Sequence, residues 1–323
     1  PFHCSCERLR LVRTFGRRQF GEYMVRIQFA IDLHYELNFP GADFVFNIHA
    51  AQAASQQIVN ESLLVSQQVP TTIQADPATH ARYLRLTAGP GPLHVAYQAT
   101  VDIDHHIGNP DLIQETPVAQ LPLSVLSYIY PSRYCQSDRL AVLSMSEFGH
   151  LPKGYRRVEA IRNWVNQHVA FRSNTSSSAT SALDTVTDRV GVCRDFAHLM
   201  IAICRALSIP ARFTTGIDYG ADPALGPTDF HAYVEVFLGG RWYLFDPSGT
   251  AVPMGFVRLG TGRDAADVSY ATIFGSVSSP PPLISVTAIT ETGRPWELPR
   301  HRPEAISTDA PQESFALGAV APL

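Results

Sequence analysis

The chain has 323 residues, of which 45% are apolar and 17% charged, and its formal net charge is −4; this length leads us to expect two domains with a sizeable core. No apolar run approaches the ~20 residues of a membrane-spanning helix, and no basic stripe accompanies the slightly acidic balance, so neither a membrane nor a nucleic acid is an expected partner. Cys4, Cys6, Cys135, Cys193 and Cys204 do not form the pattern of a disulfide-stapled secreted domain, and free thiols suit a reducing, cytoplasmic setting.

Residues 1–23 carry five arginines by Arg18 and no apolar signal-peptide run; they read as a non-native or disordered extension, with the functional protein beginning near Met24. From there Val25, Ile27, Phe29, Ile31 and Leu33 alternate with more polar residues, the pattern of a half-buried strand. Further short strands are expected at 44–48, 61–66, 82–86 and 93–101, separated by turns such as Gly89-Pro90-Gly91-Pro92. Residues 24–130 are therefore expected to form an all-β, sandwich-like domain. Asp102-Ile103-Asp104-His105-His106 contains ligand-type side chains, but adjacent histidines at a strand end do not converge unaided. It reads as a solvated strand terminus, and neither a metal nor a cofactor is expected. Residues 131–154 form a helical linker.

The next unit, 155–292, holds the chemistry. Tyr155–Ala170 is amphipathic, and the Ser/Thr/Asn-rich stretch 172–181 reads as a loop lining a cleft. In Gly191-Val192-Cys193-Arg194-Asp195-Phe196-Ala197-His198-Leu199 the apolar residues Phe196, Leu199, Met200, Ile203 and Leu207 follow helical spacing, and Ile209-Pro210 ends the helix. Cys193 thus falls in the first turn, where unpaired N–H groups and the helix dipole favour a thiolate. Cys204, further along the helix, reads as a small buried hydrophobe, and Asp195 and His198 as support for the helix start. Downstream, Asp229-Phe230-His231-Ala232-Tyr233-Val234-Glu235-Val236-Phe237 and Arg241-Trp242-Tyr243-Leu244-Phe245-Asp246-Pro247 flank Leu238-Gly239-Gly240, a hairpin signal. A turn at Leu238-Gly239 sets His231 opposite Asp246; a turn at Gly239-Gly240 sets them diagonally. Either leaves the two side chains on one face and within reach. Residues 268–289 suggest strands interrupted by Ser278-Ser279-Pro280-Pro281-Pro282, and 293–323 read as a disordered tail.

The motifs around Cys193, His231 and Asp246, together with Ile-Pro-Ala-Arg at 209–212, resemble the transglutaminase-like core, a papain-related thiol fold. The resemblance runs from roughly Tyr155 to Tyr270, and Tyr134-Cys135-Gln136-Ser137-Asp138-Arg139-Leu140 resembles the N-terminal region of bacterial members. It implies an α+β chain in which an N-terminal β domain precedes a papain-like catalytic core, and a thioacyl-enzyme intermediate. Cys193 is the expected nucleophile, His231 its base and acid, and Asp246 the group that orients the imidazole. The backbone N–H of Cys193 is one expected oxyanion donor. The second is open: Thr187 stands where papain-like enzymes carry Gln, and Trp164, which reads first as a helix core residue, has an indole N–H of the kind animal transglutaminases use. In Arg258–Asp267, which resembles a recurrent segment after the family's aspartate, Arg263 and Asp264 read as structural ion pairs.

Three functions are compatible with these residues. The first is hydrolysis of peptide or isopeptide amides, favoured because many bacterial relatives resemble proteases. The second is amine transfer to protein glutamine, which would cross-link proteins. The third is a binding scaffold with an inert thiol. A peptide or protein substrate is the expected partner under the first two, and the oligomeric state is not legible.

Overall fold

A computed structural model describes residues 24–221, 228–290 and 296–309. The expected extension at 1–23 lies outside them. The first sheet is organised by one long strand, β1 (Met24–Phe46), in which Val25, Ile27, Phe29, Ile31, Leu33, Tyr35 and Leu37 point inward. Strands β2 (Gln56–Val65), β3 (Thr71–Ala75), β4 (Arg82–Ala88) and β5 (Gly91–Asp104) complete the order β2-β5-β1-β4-β3. β5 pairs with residues 24–37 of β1 and β4 with residues 42–46, with a register shift between Leu37 and Ala42. Gly41 sits in that irregularity at φ +117°, and a Cβ there would stand 2.2 Å from the carbonyl oxygen of Ala88. The bulge lets one strand serve both halves of a curled sheet. The N-terminal domain is consequently a half-barrel in place of two stacked layers.

Chain order continues with β6 (His106–Gly108), α1 (Leu123–Leu126), α2 (Ala141–Phe148), α3 (Tyr155–His168), β7 (Ala170–Phe171), α4 (Ala182–Asp188), β8 (Val190–Gly191) and α5 (Cys193–Ala206). A second sheet of order β11-β10-β9-β12 comprises β9 (Ala211–Asp218), β10 (Phe230–Leu238), β11 (Arg241–Phe245) and β12 (Phe256–Gly262). α5 is buried from Asp195 to Arg205 and packs on Ala232, Val234 and Val236 of β10 and on helices α2, α3 and α4. Protein surrounds the helix, so its polar residues Asp195, His198 and Arg205 are buried along with the apolar stripe. Among the described residues no helix is long and apolar enough to cross a membrane.

Two segments depart from the sequence reading. β13 (Ala271–Ser278) and β14 (Leu283–Ile289), placed with the core by their position in the chain, pair with β1 and belong to the first sheet. Residues 296–309, assigned to a disordered tail, are built into the fold. Trp296 stacks beneath the Arg26 guanidinium at 3.7 Å, and β15 (Ala305–Ser307) pairs with β6. Asp309 accepts from Arg212 at 2.6 Å. The polar, proline-spaced composition hid this, because the anchoring partners are supplied by distant residues.

The second sheet also carries a buried ion network. Glu235 is fully buried and accepts from Arg212 Nε at 2.7 Å, from Thr214 Oγ1 at 3.1 Å and from Arg258. Arg212 in turn lies 4.2 Å over the Trp242 ring. Paired in this way, the charges satisfy one another where an isolated one would be prohibitive.

Candidate active site

The first turn of α5 is shaped by Asp195. Its Oδ2 accepts from the Val192 N–H at 2.9 Å, and its Oδ1 from Ser176 Oγ at 2.9 Å. This carboxylate over the helix start explains Gly191, where a Cβ would sit 2.7 Å from the Asp195 Cβ. The N–H groups of Asp195 and Phe196 both donate to the Val192 carbonyl, at 2.8 and 3.2 Å. Helix geometry leaves the N–H groups of Cys193 and Arg194 without an intrahelical acceptor. Arg194 donates to Ser176 Oγ and to the Ser177 carbonyl oxygen, tying the 173–180 loop to the helix mouth. Cys193 is partly exposed in a cleft of about 730 Å³, whereas Cys135 and Cys204 are buried. Burial pushes the Cys135 thiol up to about 12 and raises the Cys204 thiol further.

The hairpin turns at Gly239-Gly240, with φ of 55° and 82°, because the pairing runs Leu238↔Arg241 and Val234↔Phe245. Two residues at positive φ match the twist of a two-residue hairpin, which is why glycine occupies both. Asp246 then lies diagonal to His231, the second of the two registers the sequence allows. The His231 Nε2 to Asp246 Oδ1 distance is 3.4 Å. Asp246 is itself held by the N–H and hydroxyl of Ser248 on Oδ1, at 2.9 and 2.6 Å, and by the Ala251 N–H on Oδ2 at 3.0 Å.

A third acidic residue joins this pair. β9 pairs with β10 in the register His231↔Gly216, so Asp218, two residues further along β9, shares the face of His231. Its Oδ1 accepts from the Tyr233 hydroxyl at 2.7 Å, and its Oδ2 lies 3.8 Å from His231 Nδ1. The ends of β9 and β11 and the start of β10 thus bring Asp218, His231 and Asp246 to one edge of the sheet, facing Cys193. Sequence reading passed over Asp218 because nothing short of the β9–β10 register identifies its neighbour; its place as the last residue of a strand starting at Ile-Pro-Ala-Arg is the one local hint.

Electrostatics follow from this convergence. Burial opposes charge on His231, but the carboxylate of Asp218, then the Cys193 thiol within hydrogen-bond reach and the bond to Asp246, outweigh it and hold the imidazole well above its ordinary pKa. Burial would likewise raise Asp246, yet His231, Ser248 and the Ala251 N–H bring it below the usual carboxylate range. For Asp218 burial dominates; His231 and Tyr233 oppose it only in part, and the group is pushed up to about 7.

The remaining sequence candidates lie elsewhere. Trp164 is stacked on His168 at 4.0 Å and edge-on to Phe148 at 6.0 Å, and Thr187 donates to the Leu183 carbonyl on α4; neither lines the cleft. His198 stacks on Tyr134, and its Nε2 accepts from the Ala265 N–H at 3.2 Å, so it supports α5 from behind. Arg263 pairs with Asp267, while Asp264 accepts from the N–H groups of Tyr134 and Ala266. The 102–106 segment is less solvated than expected: Asp102 takes both donors of an Arg26 fork at 2.6 and 2.7 Å, and His105 is buried. Strand pairing on both sides of β5 draws it inward.

Comparison with known proteins places this geometry in context. Residues 146–247 match the family described as the transglutaminase-like superfamily, and residues 25–124 match the bacterial transglutaminase N-terminal domain. A crystal structure of a Cytophaga hutchinsonii protein, provisionally named a cysteine protease, superposes with a TM-score of 0.80 at 36% identity, covering 88% of this chain and 97% of that one. An uncharacterised protein of Mycobacterium leprae is 30% identical over 125 residues, 37% of this chain and 44% of the relative. One of Mycobacterium tuberculosis is 31% identical over 125 residues, 34% of this chain and 40% of the relative. The chain thus spans less than half the length of these curated relatives.

Proposed function

Because the chain belongs to the transglutaminase-like superfamily, we propose that it performs cysteine-dependent acyl transfer on amide bonds, with water as the principal acceptor. The observation that carries this reading is the convergence of a helix-mouth thiol and an imidazole in one cleft, with the buried Asp246 carboxylate bonded to that imidazole. Each residue alone has a structural explanation; their common location has a chemical one.

In the proposed reaction the Cys193 thiolate attacks the amide carbonyl carbon, and the tetrahedral intermediate collapses with breakage of the C–N bond. The imidazolium of His231 gives its proton to the departing amine. His231 then takes a proton from water, whose oxygen attacks the thioester, and the acid leaves as the thiolate is restored. Asp246 holds the imidazole through Nε2 and stabilises its charged form. The Cys193 N–H, at the positive end of α5, donates to the developing oxyanion. An amine entering in place of water would give the cross-linking outcome through the same thioester. Hydrolysis is favoured because the relative matched over nearly its full length carries a protease name.

The test is incubation of the protein with glutamine-containing peptides in ¹⁸O-water, with and without a primary alkylamine, read by mass spectrometry. Cys193-dependent cleavage or deamidation carrying ¹⁸O supports hydrolysis; a Cys193-dependent amine adduct moves the assignment to transfer. Identical products from Cys193→Ala would overturn the mechanism. Slow labelling of Cys193 by iodoacetamide below pH 8, unaffected by His231→Ala, would bring the scaffold reading forward.

A further inference from the structure

His231 has two ring nitrogens, and the proposed function uses a carboxylate on only one of them. Nε2 faces Asp246, whose carboxylate is saturated by Ser248 and Ala251. Nδ1 faces Asp218, which is 1% exposed and whose Oδ2 has no hydrogen-bond partner among the described residues, although its Oδ1 is held by Tyr233. A buried carboxylate oxygen is seldom left without a donor. Here it stops 3.8 Å from an imidazole nitrogen and lines the cleft beside the thiol.

We propose that Asp218 is a positioning residue for acyl transfer: from the Nδ1 side its charge keeps His231 protonated, while its 3.8 Å separation leaves the Nδ1 proton to the thiol and the leaving amine. The inference rests on the reading of His231 as the acid–base partner of Cys193.

Chemistry distinguishes the two carboxylates. Asp246 accepts three protein hydrogen bonds besides the one from His231 and stays ionised, so it supplies permanent charge and orientation. Asp218 accepts one, from Tyr233, and is pushed up to about 7 by burial, so its charge is available at neutral pH and withdrawn in acid. Two acids beside one ring with their titrations forced apart is the arrangement by which a site divides fixed and adjustable charge. The groups facing Asp218 are His231 and Tyr233 on β10 and Asp246 beyond β11; Cys193, Arg194 and Asp229 stand on the cleft wall. Of these, only His231 offers a cation or donor to the free oxygen at ion-pair distance.

The consequence is an alkaline limit on the thiolate–imidazolium pair. A carboxylate within about 4–6 Å raises a cation's pKa by roughly 1–3 units. Without the Asp218 charge the imidazolium loses its proton at lower pH, and protonation of the leaving amine fails earlier. Loss of Asp218 does not mimic loss of Asp246, because Asp246 still holds the ring through Nε2 and His231 starts well above its ordinary pKa: labelling of Cys193 in acid is kept while the alkaline limb of turnover retreats.

The experiment is carbon-detected NMR titration of His231 in ¹³C-histidine-labelled protein, assigned by comparison with His231→Gln. It is run on wild type, Asp218→Asn and Tyr233→Phe, alongside iodoacetamide labelling of Cys193 from pH 5 to 9 with Cys193→Ala as blank. Asp218→Asn is expected to lower the His231 titration by about one unit or more while labelling below pH 7 persists. Tyr233→Phe, which removes the hydrogen bond favouring ionised Asp218, is expected to move it in the same direction by less, and serves as the test if Asp218→Asn does not fold. Wild-type-like His231 titration in a folded Asp218→Asn protein, with labelling of wild type still activated, would overturn the role of Asp218 alone. Unactivated labelling in wild type would overturn both this role and the acyl-transfer reading.

Discussion

Replacing Asp246 with asparagine tests the site at its most connected group. The carboxylate accepts three bonds on Oδ1, from Ser248 N–H, Ser248 Oγ and His231 Nε2, and one on Oδ2 from Ala251 N–H. An amide has a single acceptor oxygen. Its least damaging orientation keeps that oxygen toward Ser248 and His231 and turns the NH₂ against the Ala251 N–H. One buried donor is then left without an acceptor, at about 1–3 kcal/mol of stability. The charge beside His231 is lost as well, which lowers the imidazole from its raised position. Asp218 remains on the other side, so part of the imidazolium survives. The expected outcome is a small fall in urea midpoint. Labelling of Cys193 at pH 6 should slow by ~10-fold or more, with its acid limb displaced toward that of an ordinary thiol. A folded variant whose labelling profile superimposes on wild type would refute the argument that Asp246 holds the imidazole.

Cys193→Ala is expected to abolish turnover and change the unfolding free energy by no more than about 1 kcal/mol, since the thiol is partly exposed at the mouth of α5 and only borders the core. Glu235→Ala leaves Arg212 and Arg258 buried without their shared carboxylate and should cost about 3–5 kcal/mol in denaturant unfolding; a loss below about 1 kcal/mol would show the network to be dispensable. Gly191→Ala forces a methyl against Asp195 and should slow Cys193 labelling more than it lowers stability, since it displaces the helix mouth. Asp218, raised to about 7 in the fold, lies above its unfolded value of about 3.9. Its contribution to stability is therefore fully present below the unfolded value and is lost as pH rises through about 7. Asp218→Asn removes that dependence, so its midpoint should gain on wild type between pH 5 and 8 in thermal melts at constant ionic strength. A difference that does not change with pH would show that Asp218 is not titrating in this window.

Local signals in the sequence sufficed for much of the candidate site's geometry. Helical spacing after Phe196 and the Ile-Pro stop place Cys193 at a helix start, and the Gly-Gly turn narrows His231 and Asp246 to two registers on one face. Both are short-range consequences of period and turn chemistry. The α+β class and the order of β domain before core were legible for the same reason.

Tertiary structure decided the rest, and in each case through a partner far away in sequence. The register that puts Asp218 beside His231 is set by pairing across the connection between β9 and β10, whose length alone does not determine it. β13 and β14 follow the core in sequence but find their hydrogen-bond partners on β1. Residues 296–309 have the composition of a tail and are ordered by Arg26, Arg212 and β6. A sequence by itself determines which residues can form a strand, a helix mouth or a turn; only the packed chain decides which carboxylate is desolvated beside which imidazole, because burial and charge are properties of the neighbours the fold assembles.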